Sequence, residues 1–150
     1  MEIWYDMEKR RLKPMEKVFD FSEELHASID QVWEVIKKPV HIISEKNAKI
    51  TIEDDLNWVQ HDGEVDNECH ATLDESAYKV HVVTTNTKYR TEGTDVILEL
   101  MPEGSHCKVH VHYVIKTKAI FNMVVFKAFG EKLEHHATNV ILKHIKKALK

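Results

Sequence analysis

At 150 residues the chain is long enough to bury a sizeable core in one domain, and at 43% hydrophobic and 31% charged it is not a disordered polymer. A net charge of −4, with acids and bases interleaved, leaves no basic stripe and argues against nucleic acid as a partner. No apolar run approaches the roughly 20 residues that span a bilayer, residues 1–14 lack the apolar stretch of a secretion signal, and Cys69 and Cys107 make no disulfide framework; the expectation is a cytoplasmic protein with reduced thiols.

Residues 1–14 carry Lys9, Arg10, Arg11 and Lys13 before Pro14 and read as an N-terminal extension, with Met15 as an alternative start. The domain proper is 15–150. Over Lys17–Leu25, Phe19, Phe21 and Leu25 alternate with Asp20, Ser22 and Glu24, which predicts a strand with one buried face. Glu23 shares the inward parity and could reach the pocket mouth, but strand ends fray and the expectation is an exposed Glu23. Ser28-Ile29-Asp30-Gln31 then has the form of a capping box, in which Ser28 accepts from the Gln31 amide and the Gln31 side chain reaches back. The helix it opens places Ile29, Val32, Trp33 and Ile36 on one face and should end before Pro39, because Lys38 is pushed out of helical geometry. Pro39 suits the first position of a second short helix through Lys46.

Six further strands are predicted over Lys49–Glu53, Asn57–Gln60, Glu64–Asp74, Tyr78–Arg90, Thr94–Met101 and His106–Lys118, with Asp62-Gly63 and Glu92-Gly93 as turns. Within Tyr78–Arg90 the apolar residues change parity. A bulge near Thr84–Thr87 would reconcile them and leaves the facing of His81 open. In the last hairpin, a four-residue loop Pro102-Glu103-Gly104-Ser105 predicts Leu98 opposite Val109 and Val96 opposite Val111. The same register puts Glu99 opposite Lys108 and Asp95 opposite His112 on the outer face.

From Phe121 to Lys150 the chain reads as one long amphipathic helix. Phe126, Phe129, Leu133, Ala137, Val140, Ile141 and Ala148 form its apolar stripe, and His144 lies within that stripe. Leu142 and Leu149 fall off the stripe and suggest a contact surface. The order strand, helix, run of strands, long helix is an α+β architecture in which a sheet grips a helix over an apolar interior.

That order, carried by Val18–Leu25 with Ser28–Ile36, by the hairpin from Thr94–Leu100 to Val109–Tyr113 with its Pro102-Glu103-Gly104 turn, and by the terminal helix, resembles the START-like, or SRPBCC, superfamily. This is the helix-grip fold shared by plant pollen-allergen proteins, lipid-transfer domains and bacterial aromatase/cyclase-like proteins. The chain looks closest to short bacterial members with little beyond the core. The resemblance implies a curved seven-stranded antiparallel sheet around the C-terminal helix, with a cavity that holds an apolar or amphipathic small molecule. It supplies no catalytic motif and no cofactor.

The expected function is therefore a binding module for such a molecule, as a monomer or homodimer. Its candidate pocket residues are Tyr89, Val96, Leu98, Leu100, Val109, Val111, Tyr113, Phe126, Phe129, Leu133 and Ala137. Tyr113 and Tyr89 are the hydroxyls that would orient a ligand. Two other readings use the same fold. A cyclase- or hydrolase-like enzyme would need His144, Glu23, His81 and Tyr113 to supply an inward polar cluster. A chaperone- or ribosome-associated interaction domain would show a solid core and an exposed apolar patch. No metal site is predicted: His110-x-His112 puts two imidazoles on one strand face, but that face is outward, no third ligand is evident, and pairing of His112 with Asp95 accounts for it.

Overall fold

The computed structural model describes residues 15–44, 48–90, 92–117 and 140–150. Seven strands, β1 (Met15–Leu25), β2 (Lys49–Asp54), β3 (Asn57–Asp62), β4 (Val65–Asp74), β5 (Lys79–Asn86), β6 (Gly93–Glu103) and β7 (His106–Thr117), form one antiparallel sheet. Their order is β1-β7-β6-β5-β4-β3-β2, so the first strand closes beside the last. Helices α1 (Ile29–Ile36) and α2 (Val40–Ile43) follow β1, and α3 (Leu142–Ala148) ends the chain. Among the described residues, no helix is long and apolar enough to cross a membrane.

The capping box forms as the sequence predicts. The Gln31 amide donates to Ser28 Oγ at 3.3 Å and the Ser28 amide donates to Gln31 Oε1 at 3.0 Å. Helix α1 stops at Lys37, two residues before Pro39, and buries Val32, Trp33 and Ile36. Pro39 stands at the N-cap of α2, whose Val40, Ile42 and Ile43 are buried. That helix ends at Ser44, and residues 45–47 lie outside the described segments.

Strand parity decides what enters the core. Cross-strand rows on the inner face read Ala71–Val82–Val96–Tyr113–Phe19 and Leu73–Val80–Leu98–Val111–Phe21. Val80, Val82, Leu98, Val109 and Val111 are sealed from solvent, and each such side chain contributes about 1.5–3 kcal/mol relative to an exposed one. Cys69 and Cys107 are buried free thiols, and burial raises the thiol pKa of Cys107.

Three expectations are corrected. The β6–β7 loop has two residues, Gly104-Ser105, so Leu98 faces Val111, Val96 faces Tyr113 and Glu99 faces His110, a register two residues from the predicted one. Gly104 takes φ 61°, a conformation that lets two residues reverse a hairpin and that other side chains resist. Strand β5 pairs with β4 and β6 without a register break and ends at Asn86, so no bulge forms. The Asn86 side chain there accepts from the amides of Lys88 and Tyr89 and turns the chain out of the sheet. In α3, Leu142 and Ile145 are buried and Leu149 packs on the core, whereas Ala148 is exposed. Ile141 of the expected stripe is buried, and α3 packs against both α1 and α2, which is what covers Leu142 and Ile145. The upstream stripe, Phe126, Phe129, Leu133 and Ala137, lies outside the described residues.

Candidate functional site

The inner sheet face is graded in polarity. Its middle is the apolar field of Val80, Val82, Val96, Leu98, Val109 and Val111. Toward one end the next row reads Trp58–Cys69–Thr84–Thr94–Ile115, and beyond it stand Gln60, Asn67 and Asn86. Cys69 Sγ lies 3.4 Å from Thr84 Oγ1, and Gln60 Nε2 donates to the buried Ser44 Oγ at 3.4 Å. Trp58 is 2% exposed, and its indole N–H has no hydrogen-bond partner among the described residues. A buried donor left unpaired costs roughly 1–3 kcal/mol, so it marks a place where an acceptor would be welcome.

The opposite end holds Glu23. Its row is Leu100–Val109–Glu23, and against the expectation of an exposed side chain it is part-buried, because the strand end is held by β7 and does not fray. Oε1 accepts from Lys146 Nζ of α3 at 2.7 Å, while Oε2 is buried without a partner among the described residues. Polar groups thus flank an apolar middle.

Of the candidate pocket residues, Val96, Leu98, Leu100, Val109, Val111 and Tyr113 all lie buried on this face. Tyr113 is not without a partner in the fold. Tyr89 does not join them: it is 46% exposed in the turn after β5, with Lys88 Nζ 5.4 Å from its ring centroid. The donor that sequence reasoning missed is Trp58. Its place on a short strand beside Ile52 and Cys69 carries no local signal until β2, β3 and β4 pair.

The residues that an acid–base cluster would need are dispersed. His81 faces outward and meets Asp95 Oδ1 at 3.0 Å. Burial alone would raise the Asp95 carboxyl, but Lys116, at 2.9 Å, and His81 overcome it and hold the group below its ordinary value. Asp95 in turn raises Lys116. His144 Nδ1 lies 2.9 Å from the Ile42 carbonyl, which can only accept, so that nitrogen carries the proton and the ring ties α3 to α2. The expected His112–Asp95 pair does not form. His110 and His112 instead share Asp20 of β1, with His112 Nδ1 2.9 Å from Oδ2 and His110 Nε2 on Oδ1. These contacts, that of His112 first, hold the Asp20 carboxyl below its ordinary value. The third group beside His110-x-His112 thus comes from the neighbouring strand. A shallow depression lined by Thr72, Lys79, His81 and Ile97 also lies on the outer face, away from this interior.

No protein-family model matches the chain, and no curated protein matches it. Solved structures do. Ara h 8.0201 superposes with a TM-score of 0.63 at 12% identity, over 90% of this chain and 98% of that one. A protein from Thermus thermophilus gives 0.66 at 11%, over 89% and 97%. Norcoclaurine synthase from Thalictrum flavum, in complex with dopamine and hydroxybenzaldehyde, gives 0.63 at 14%, over 91% and 88%. With β1 beside β7, two short helices after β1 and a terminal helix on the same core, the chain has the helix-grip fold of the START-like, or SRPBCC, proteins.

Proposed function

We propose that this protein is a small-molecule binding module that takes up an amphipathic ligand between the inner sheet face and the C-terminal helix. The observation that carries the proposal is the indole N–H of Trp58, which has no hydrogen-bond partner among the described residues and stands at one polar end of a face with an apolar middle. An apolar body would lie over Val80, Val96, Leu98 and Val111, gaining about 25 cal/mol for each Å² removed from water. A carbonyl, hydroxyl or ether oxygen at its end would accept from Trp58 and orient the molecule against Thr84 and Thr94. One structural neighbour was solved with dopamine and hydroxybenzaldehyde, small molecules with an aromatic body and polar ends. The reduced, buried Cys69 and Cys107 suit a cytoplasmic setting.

The test is native mass spectrometry of freshly purified protein, followed by solvent extraction. The expected result is a reproducible added mass that vanishes on denaturation and is retained less by Trp58→Phe. A bare polypeptide mass, with no binding of an apolar fluorescent probe either, would overturn the reading.

A further inference from the structure

A second group of side chains lies on the outer face, away from the ligand interior. Glu24 is near the end of β1, His26 follows that strand, and His106 opens β7 immediately after the Gly104-Ser105 turn. The β1–β7 ladder pairs Leu25 with Cys107, which brings His26 alongside His106. The two imidazoles meet edge to face with centroids 5.1 Å apart. One donor atom from each of Glu24, His26 and His106 lies within 4.8 Å of the other two.

The spacing suits a shared ion better than a direct contact. Glu24 Oε1 and His106 Nδ1 are 3.8 Å apart, too far for a hydrogen bond. Two donors held tetrahedrally at zinc-ligand distances stand about 3.4 Å apart, so small side-chain rotations would close the set around one ion. The cluster at Asp20 differs, because both of its histidines already bond to the carboxylate between them. Glu103 stands directly across the ladder from His106 and is held by Lys108 at 3.5 Å.

We propose that Glu24, His26 and His106 form a surface site for a borderline divalent cation, zinc above all. Two imidazoles and one carboxylate favour zinc, copper or nickel over magnesium or calcium, which prefer all-oxygen shells. Three protein ligands leave a coordination position for water or an external donor. The site would tie the exit of β1 to the β6–β7 hairpin, and binding to the folded state alone would raise the melting temperature.

The experiment is titration of the full chain with Zn²⁺ against a chromophoric chelator at pH 7.5, with Co²⁺ absorption as a direct report of coordination. The expected result is one saturable site per chain. His26→Ala and His106→Ala should each weaken it by about ten-fold or more, with circular dichroism of the metal-free protein unchanged because both residues lie at the surface. His110→Ala, on the same face, should bind as the parent does. No saturable site, binding unaltered in His106→Ala, or loss in His110→Ala instead would each overturn the assignment; the last would move the metal to Asp20.

Discussion

Glu23 Oε1 and Lys146 Nζ stand 2.7 Å apart although 123 residues separate them, and this ion pair bolts the first strand to the last helix. The Lys146 side chain keeps half of its exposure and that of Glu23 about a third, so solvent screens the attraction. A double-mutant cycle with Glu23→Gln and Lys146→Met should return a coupling of about 0.2–1 kcal/mol. Amide exchange in Leu142–Ala148 should quicken in either single variant, and unaltered exchange would show that the clamp is not what holds α3.

Trp58 offers a separation of ring from N–H. Trp58→Phe removes a donor that has no partner among the described residues and keeps most of the apolar volume, so stability should change by less than about 1 kcal/mol. Trp58→Ala empties the site and should cost about 3–5 kcal/mol. Chemical denaturation of both variants distinguishes the two contributions, and a large loss in Trp58→Phe would mean that the N–H is paired in solution.

Asp20 sets part of the acid limb of stability. Its carboxyl is held below the ordinary 3.8 by His112 and His110, so the folded protein favours the carboxylate. The stabilisation is therefore complete above that ordinary value and fades as pH falls through the lowered one. Urea midpoints between pH 3 and pH 6 should show a shallower acid decline in Asp20→Asn than in the parent. Parallel curves would exclude this carboxylate from the linkage.

Gly93 is the tightest backbone approach. A Cβ there would stand 1.9 Å from the Thr84 carbonyl oxygen and 2.9 Å from its carbon, and neither atom can swing away. Gly93→Ala should cost about 3 kcal/mol, a fall in melting temperature on the order of 10 °C for a chain of this length. An unchanged melting temperature would mean that β5 and β6 separate more freely than their pairing implies.

Much of this structure is written in local pattern. The alternation of Phe19, Phe21 and Leu25, the reciprocal Ser28–Gln31 cap and the alternating Val96, Leu98, Leu100 against Val109, Val111 and Tyr113 depend on neighbours a few residues away, and each appears in the fold as the sequence predicts. Such pattern determines which face a strand side chain takes, because parity is local. It does not separate registers that differ by two residues, since both bury the same set. The two-residue turn at Gly104 made that choice. It thereby matched Glu99 with His110 and freed Asp95 for His81 and Lys116. The Asp20 contacts and the Glu24–His26–His106 group were likewise decided by tertiary structure, because each needs β1 and β7, which are neighbours in the sheet and not in the chain; the Trp58 environment needed β2, β3 and β4 to pair in register. Sequence by itself determined the strands and the faces they bury, because parity is local; the turn that sets a hairpin register and the long-range pairing that sets strand order decided which chemistry those faces bring together.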